Sequence, residues 1–457
     1  MSKNKFKLHF VGIGGIGMSG IAKVFANQGY QVSGSDLQDS DSTRELTDLG
    51  ISVSIGHREE NIGIADVIVI SSAVKQDNPE VMAARRKKIP VIPRAEMLGE
   101  LMRGKVGVAI AGTHGKTTTT SMVASILTEA KLDPTLVIGG KVGALGGNSK
   151  LGQGSIVVAE ADESDGSFLH LPATFVAVTN IDNDHLDHFG TIENVESSFV
   201  DFVGRIPFYG QAVLCLDDKR VESILPRLTK PFLTYGLASA ADFKIENITH
   251  QGSGYAFDVK FRGDSGVRVE LQVPGRHNVL NATAALAISR SLGVDWKIIS
   301  QGLNNFSGAD RRFQTKLKTK NVWIVDDYGH HPTEIRATLE AARSICKGMI
   351  ICVFQPHRYS RTQSCMKDFE TCFENADQLM ITDIYAAGEK PIVGISSDEL
   401  VKKIKKNKNA PKYVEYVSSL REATDYIKDH VKSGDLVLTL GAGSITKYSD
   451  ELVMEFK

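Results

Sequence analysis

The sequence predicts an α/β protein made of three consecutive strand–turn–helix units, and three observations support this fold class. Apolar runs that end in Gly, Ser or Asp alternate with longer helical patterns along the 457 residues. This alternation is typical of parallel strands joined by crossover helices. Glycine-rich turns follow the first strand of each of the first two units. The chain is also too long for one core, because domains usually span about 100–200 residues.

The first unit is predicted to be Rossmann-like and to occupy residues 1–106. KLHFVGI reads as a strand, MSGIAKVFANQ as a helix, and QVSGSD, DVIVISSA and IPVIPRAEML contain further strands. The turn VGIGGIGMSG has the spacing G-x-G-x-x-G, and Asp36 follows about 20 residues later. Backbone amides at such a turn bind a diphosphate, and the carboxylate suits a ribose. A ribose-diphosphate ligand is therefore indicated, NAD being one example, while tight helix packing is the alternative.

The second unit, residues 107–314, opens with AGTHGKTTTT between a strand and a helix. Its amides are suited to ATP phosphates, with Lys116 on the outer phosphates and the Thr117 hydroxyl on Mg²⁺. Gly112 stands closer to this pair than the strict P-loop pattern requires, and a chance Gly-Lys-Thr is the alternative. Glu160 ends the strand SIVVAE, where a metal carboxylate is expected. His185, at the end of the next strand, is a candidate for a second metal ion or a surface residue.

Further patterns complete the second unit and define the third. Short alternating stretches within about 232–274 predict antiparallel hairpins appended to the second unit. The polar segment LNNFSGADRRFQ marks a joint, and VWIVDDY, MIICVFQPH, QLMITDIY and LVLTLGAGS are strands of a third, Rossmann-like unit at residues 315–457. In open α/β sheets ligands bind at the carboxyl ends of the strands, where polar residues cluster in all three units.

Composition excludes several classes of partner. The formal net charge is -1, so there is no overall electrostatic case for nucleic acid or a membrane surface. The sequence has no run of about 20 apolar residues and no signal-peptide pattern. The five cysteines lack metal-type spacing and read as reduced thiols. We expect a cytoplasmic enzyme.

Several motifs, in order along nearly the whole chain, resemble those of the Mur ligases of peptidoglycan synthesis. They are HFVGIGGIGMSGIA, AGTHGKTTTTS, EADESDGSFL, TNIDNDHLDHFG, HNVLNATAALAI, GADRRF, DDYGHHPTEIRATL and VFQPHRYSRT. The first glycine turn and DDYGHHPTE are typical of the member that adds L-alanine, and the muropeptide-recycling ligase is the nearest alternative. The resemblance implies three domains that bind a UDP-sugar, ATP and an amino acid. It also implies ATP-dependent ligation of L-alanine to UDP-N-acetylmuramate through an acyl phosphate, by a monomer or weak homodimer.

The resemblance also implies a role for each candidate site residue. The catalytic residues would be Lys116, Glu160, His185, Arg312 and Asp327, with Asp326 as an alternative to Asp327. ATP would contact Gly112, Thr113, His114, Gly115, Lys116, Thr117, Thr118, Asn278, Asn281 and Arg312. Mg²⁺ (two ions, for which Mn²⁺ can substitute) would be held by Thr117, Glu160 and His185. The UDP-sugar would contact Gly12, Gly14, Gly15, Gly17, Asp36, Ser71 and Arg94. The amino acid and transferred phosphate would meet Tyr328, His330, His357, Arg358 and Arg361.

Some questions stay open at the level of sequence. An NAD-dependent oxidoreductase would leave Lys116 and its acidic neighbours unexplained, and a non-catalytic ATP switch would not use the third unit. The pair His330 and His331 suits substrate contact or helix capping better than a metal. The sequence leaves open which group accepts the proton of the amine, and whether L-serine or glycine competes with L-alanine. We expect the C-terminal unit to move about residues 308–316.

Overall fold

The computed structural model describes residues 5–71, 73–142, 147–262 and 266–457. The chain forms two compact units. The first contains residues 1–246, 258–269 and 280–305, and the second contains residues 247–257, 270–279 and 306–457. Among the described residues, no helix has the length and apolar character needed to cross a bilayer.

The N-terminal part of the first unit is a five-stranded parallel sheet in the order β3-β2-β1-β4-β5. Its strands are β1 (Lys7–Val11), β2 (Gln31–Asp36), β3 (Ser52–Ile55), β4 (Val67–Ile70) and β5 (Val91–Pro93). Its helices are α1 (Ile16–Asn27), α2 (Asp41–Asp48), α3 (Pro79–Arg86) and α4 (Arg94–Met102). The first glycine turn joins β1 to α1 at the carboxyl edge, which is the place where this topology binds ligands.

A ten-stranded sheet follows in the order β15-β14-β13-β12-β11-β10-β6-β9-β7-β8. Its strands are β6 (Val106–Ala111), β7 (Thr135–Val142), β8 (Gly147–Lys150), β9 (Ile156–Glu160), β10 (Phe175–Val178), β11 (Gln211–Cys215), β12 (Phe232–Gly236), β13 (Phe243–Gln251), β14 (Gly254–Phe261) and β15 (Val267–Leu271). Its helices are α5 (Lys116–Glu129), α6 (Leu186–Phe189), α7 (Ile192–Gly204), α8 (Lys219–Ile224), α9 (His277–Ser291) and α10 (Trp296–Asn304). The central strands β7, β9, β6, β10, β11 and β12 are parallel.

The C-terminal sheet of the second unit has six strands in the order β16-β17-β21-β18-β19-β20. Its strands are β16 (Gln314–Lys318), β17 (Trp323–Asp327), β18 (Ile350–Phe354), β19 (Gln378–Ile381), β20 (Tyr413–Tyr416) and β21 (Leu436–Leu440). Its helices are α11 (Pro332–Ile345), α12 (Tyr359–Ser364), α13 (Met366–Phe369), α14 (Ser397–Ile404), α15 (Leu420–His430) and α16 (Ile445–Glu455). Only β16 runs antiparallel to its neighbour among the pairs of this sheet.

The predicted strands all occur, with one difference in the middle of the chain. The segment that looked like appended hairpins begins with β12, which instead pairs in parallel with β11. A two-residue turn joins β13 to β14, as a hairpin requires, and these strands extend one end of the sheet. The alternation of polar and apolar residues that marks the hairpins begins after β12, because β12 is still buried on both faces.

Candidate functional site

The second glycine turn leads from β6 into α5, and its backbone conformation requires glycine. Gly112 has a φ of +125° and Gly115 a φ of +84°, both in the region that disfavours side chains. A Cβ atom on Gly112 would lie 2.1 Å from Oγ1 of Thr179. Helix α5 begins at Lys116 directly after Gly115, so its free amides are at the turn. This geometry is that of an anion-binding helix N-terminus.

Lys116 extends back over the turn into a group of carboxylates. Its Nζ lies 2.8 Å from both carboxylate oxygens of Glu163, and it donates to the carbonyls of Gly112 (2.6 Å) and Thr113 (3.1 Å). Burial disfavours the charged ammonium, but the charges of Glu163 and Asp162 outweigh burial and raise the pKa of Lys116. Lys116 is therefore a fixed cation beside the turn. Glu163 lies in the acidic motif EADESDGSFL, and the structure identifies it as the partner of Lys116.

Hard oxygen ligands converge next to Lys116. Oγ1 of Thr117 donates to Oε2 of Glu160 at 3.3 Å, and the other Glu160 oxygen accepts from the amide of Gly139 at 2.8 Å. Nε2 of His185 lies 3.8 Å from Oε1 of Glu163, and His185 adopts a φ of +60°, which is rare outside glycine. A hydroxyl, carboxylates and an imidazole at one sheet edge fit a Mg²⁺ site, with Thr117 and Glu160 as the oxygen ligands.

The segment after β10, which lies in the motif TNIDNDHLDHFG, holds the turn in place, a role that the sequence analysis did not assign to it. The amide of His114 donates to Oδ1 of Asn180 at 2.8 Å, and Oγ1 of Thr179 donates to the carbonyl of His114 at 2.6 Å. The amide of Asp182 donates to Oγ1 of Thr113 at 2.8 Å, and its carboxylate contacts Nε2 of His114 at 3.0 Å. His114 is therefore bound to Asp182.

The two asparagines of the HN-x-x-N element have different surroundings. Asn281 reaches the turn, because a Cβ atom on Gly115 would lie 2.5 Å from its Oδ1. Asn278 donates its amide to the carbonyl of Pro274 at 2.7 Å. Thr118 is buried in the first turn of α5. Of the two asparagines, Asn281 is thus the one that lies beside the second glycine turn.

The first glycine turn is fixed by Asp36 and by an arginine. The amide of Gly14 donates to Oδ2 of Asp36 at 2.9 Å, so Asp36 holds the turn itself. Gly12 has a φ of +79°, and Gly15 caps the N-terminus of α1. A Cβ atom on Gly17 would lie 2.8 Å from Nη1 of Arg94. The third glycine of the motif therefore makes room for a guanidinium beside the helix N-terminus.

Arg94 also connects this turn with the acidic loop after β9. Its Nη2 donates to Oδ2 of Asp162 at 3.2 Å. Burial acts against ionisation, but Lys116 and Arg94 together lower the pKa of Asp162. Arg94 lines a cleft together with Ser71, Asp165 and His170. Ser72, which the sequence placed at the same strand end, lies outside the described residues. A cation, the backbone amides that begin α1 and a cleft are what an anionic sugar nucleotide requires.

At the carboxyl end of β17, the two aspartates are buried and hydrogen-bonded. Asp326 accepts from Nε of Arg311 (3.2 Å), Thr439 (2.7 Å) and Thr446 (2.9 Å). Asp327 accepts from the amides of Phe313 and Gly329, each at 2.7 Å. Burial is the main effect on Asp327 and raises its pKa to about 6. Asp327 therefore anchors the backbone around it, whereas Asp326 binds the side chains of three other residues.

Arginine and histidine residues surround the loop that follows β17. Arg312 lies over the ring of Tyr328 at 5.1 Å and within 3.6 Å of Glu334. Nδ1 of His330 contacts the carbonyl of Tyr328 at 3.1 Å. His331 is the N-cap of α11 and forms a reciprocal capping box with Glu334. Of the two functions that the sequence favoured for the histidine pair, His331 performs helix capping.

Beyond β18, three of the predicted residues form one cluster. The ring of His357 stacks on Tyr385 with centroids 5.5 Å apart, and Nδ1 of His357 lies 3.4 Å from Nη1 of Arg361. Burial and the neighbouring guanidinium groups of Arg361 and Arg358 lower the pKa of His357 to about 4, so it is neutral near pH 7. Arg358 has a φ of +70° and a buried Nε that has no hydrogen-bond partner among the described residues. The sequence did not identify Tyr385, which lies 28 residues away in the chain.

Family models match this chain in three consecutive segments. Residues 7–106 match "Mur ligase family, catalytic domain", residues 110–289 match "Mur ligase middle domain", and residues 311–443 match "Mur ligase, glutamate ligase domain". The chain belongs to the Mur ligase family. The resemblance inferred from its motifs is confirmed, and its architecture is the three-domain α/β fold of these ATP-dependent ligases.

Relatives within the family are similar over their full length. UDP-N-acetylmuramate--L-alanine ligases from Trichlorobacter lovleyi and Geobacter sulfurreducens are 52% and 54% identical to this chain. The alignments cover 99% of both chains in the first case, and 96% of this chain and 95% of the relative in the second. The crystal structure of UDP-N-acetylmuramate-alanine ligase from Thermotoga maritima has a TM-score of 0.84 at 30% identity and 99% coverage of both chains. A murein peptide ligase from Psychrobacter arcticus shares the fold, with a TM-score of 0.74 at 23% identity and 98% coverage of both chains.

Proposed function

We propose that this Mur ligase joins L-alanine to the lactyl carboxylate of UDP-N-acetylmuramate, with conversion of ATP to ADP and phosphate. The proposal rests mainly on the position of Lys116, a partly buried cation beside a helix N-terminus and among carboxylates suited to Mg²⁺. Full-length relatives more than 50% identical bear the name of this activity. We further propose that the enzyme acts in the cytoplasm, where it catalyses the first amino-acid addition of peptidoglycan precursor synthesis.

The chemistry begins with two anions that repel each other. The lactyl carboxylate attacks the γ-phosphate of ATP, and the products are an acyl phosphate and ADP. Lys116 and the amides after Gly115 offset the negative charge and align the phosphates. Mg²⁺, when bound at Thr117 and Glu160, supplies further positive charge. Arg94 and the backbone amides at the N-terminus of α1, which follows the first glycine turn, hold the diphosphate of the sugar nucleotide.

The second step forms the amide bond. The α-amine of L-alanine attacks the acyl carbon, and the tetrahedral intermediate expels phosphate. The amine must lose a proton to a general base, and such a base works best when its pKa is near the working pH. The pKa of Asp327, about 6, is closer to neutral pH than that of His357, about 4. However, both Asp327 oxygens already accept hydrogen bonds. We therefore propose Asp327 as a residue that orients Phe313 and the loop after β17, with the proton passing to another acceptor.

A phosphate-release assay tests the proposed function. The full chain is incubated with UDP-N-acetylmuramate, ATP and Mg²⁺, and phosphate is measured with L-alanine, L-serine, glycine or no amino acid. We expect release that depends on L-alanine, with glycine weaker by about 10–200-fold, since the missing methyl group contributes about 1–3 kcal/mol in a pocket. L-Serine tests whether the pocket rejects an added hydroxyl group. Release that requires the free peptide L-alanyl-γ-D-glutamyl-meso-diaminopimelate in place of L-alanine would identify a recycling ligase. Absence of L-alanine-dependent release would overturn the proposal.

A further inference from the structure

A buried carboxylate that the proposed chemistry does not use lies beneath the N-terminal sheet edge. Glu80, in the first turn of α3, is completely buried. It accepts hydrogen bonds from Oγ of Ser35 (2.7 Å), Nδ2 of Asn61 (2.7 Å) and the amide of Arg58 (3.2 Å), and it contacts Nε2 of His9 at 2.9 Å. An isolated buried carboxylate is strongly unfavourable, so this convergence of donors is what keeps it ionised.

Two of these donors belong to the segments that hold the first glycine turn. The carbonyl of Ser35 accepts from the amides of Gly12 and Ile13, at 2.8 and 2.9 Å. The second connection passes through Asn61, whose side-chain Nδ2 also donates to the carbonyl of Gly56 at 2.9 Å. The amide of Gly56 donates to the carbonyl of Asp36 at 2.8 Å, and the Asp36 carboxylate holds Gly14. Both ends of the turn are therefore connected to Glu80.

We propose that Glu80 is a positioning residue for sugar-nucleotide binding, acting through Ser35 and Asn61 on the conformation of the turn Gly12–Gly14 that leads into α1. The inference rests on the proposed function, because the diphosphate of UDP-N-acetylmuramate is the ligand of this turn. A carboxylate is needed because it only accepts hydrogen bonds, whereas a glutamine would present two N–H groups to the surrounding donors. Glu80 contacts neither Lys116 nor the acidic loop, so its effect is on sugar-nucleotide affinity and not on phosphoryl transfer.

The test compares Glu80→Gln and Ser35→Ala with Ile68→Val. Ile68 is buried in the apolar cluster that also contains Val11, Ala83 and Ala84, and its hydrocarbon side chain takes no part in the hydrogen bonds between Glu80 and the turn, so its variant controls for lost stability. Dissociation constants for UDP-N-acetylmuramate are measured by calorimetry. The kcat and KM for each substrate are measured by phosphate release, and stability by urea denaturation.

We expect Glu80→Gln to raise the Kd and KM for UDP-N-acetylmuramate roughly tenfold or more, since hydrogen bonds to a buried charge are lost. Ser35→Ala should change both in the same direction by less. The kcat at saturation, the KM for ATP and all constants of Ile68→Val should stay within about twofold of wild type. If Glu80→Gln does not fold, Ser35→Ala and Asn61→Ala provide the test.

Two outcomes would overturn the inference: unchanged Kd in the folded variants, or a loss of kcat with KM unchanged. A purely structural role of Glu80 would instead lower stability and leave Kd near wild type, as for Ile68→Val. Failure of the wild-type chain to release phosphate with L-alanine would count against the proposed function. Wild-type activity combined with unaltered variants would count against the role of Glu80 alone.

Discussion

Lys116 is the residue on which the proposed chemistry depends most. Its Nζ is held between two backbone carbonyls and Glu163, so no other cation of the turn can replace it. We expect Lys116→Ala to reduce L-alanine-dependent phosphate release by at least roughly 10²–10³-fold, as when a preorganised charge stabiliser is removed. The Kd for UDP-N-acetylmuramate should stay within about twofold.

The matched control is Lys150→Ala. This variant removes a partly exposed lysine that lies on β8 and pairs with Asp133. It should retain near wild-type turnover. If Lys116→Ala also abolished binding of the sugar nucleotide, the assignment of Lys116 to the ATP phosphates and of the first turn to the UDP-sugar would be wrong.

Glu80 also predicts how stability depends on pH. Hydrogen bonds from His9, Asn61 and Ser35 outweigh burial and lower the pKa of Glu80 to about 2, from an ordinary value of 4.5. Because the folded state has the lower pKa, the contribution is fully present above pH 4.5 and is lost as the pH falls towards 2. It amounts to about 3 kcal/mol at most. The stability advantage of wild type over Glu80→Gln in urea denaturation should therefore shrink between pH 6 and pH 3, and a constant difference would contradict this.

At the level of elements, the turn before α5 combines a special backbone conformation with a close contact. Gly115 has a φ of +84°, and a Cβ atom there would approach Asn281 to 2.5 Å. We expect Gly115→Ala to raise the KM for ATP at least roughly tenfold, because the turn or Asn281 must move, and to leave the Kd for UDP-N-acetylmuramate unchanged.

Gly104→Ala separates the contact from the backbone conformation. Gly104 has a similar φ of +72°, but a Cβ atom there meets nothing within 4 Å. Both variants should lose about 1–2 kcal/mol of stability from the left-handed conformation. Only Gly115→Ala should change the KM for ATP, and an equal change in both would show that general destabilisation is the cause.

Helix α11 provides a test of the capping role of His331. We expect His331→Ala to lower the free energy of unfolding by about 1 kcal/mol, because the amide of Thr333 loses its acceptor and the box with Glu334 is broken. His331→Asn should retain most of the stability, since asparagine is a preferred N-cap. Urea denaturation of both variants measures the difference, and equal losses would contradict capping.

For the whole molecule, the sequence predicts what depends on local pattern. Most strands with apolar runs and the two glycine turns were identified because each is encoded within about ten neighbouring residues, although β7 and β11 were not named. Short strands with mixed polarity, such as β3, β16 and β20, were missed, since their pairing is decided by distant partners. The same applies to the site. Lys116 and Thr117 lie in a motif, but the contacts of Arg94 with Gly17, of Asn180 with His114 and of Tyr385 with His357 join residues far apart in the chain. The domain boundaries at residues 106/107 and 314/315 stay predictions.

We expect the whole enzyme to close when its substrates bind. Acyl phosphates hydrolyse in water, so the reaction requires exclusion of solvent once both substrates are bound. The structure narrows the predicted joint: Arg311 donates to the carbonyl of Gly441, and the amide of Phe313 donates to Asp327, so the chain is tied to the C-terminal sheet from Arg311 onwards. We therefore expect the hinge before Arg311, at residues 306–310, where Gly308 has a φ of +114°. Small-angle scattering should give a smaller radius of gyration with UDP-N-acetylmuramate plus a non-hydrolysable ATP analogue than for the free enzyme, and NAD should have no effect. Identical profiles with and without both ligands would contradict closure.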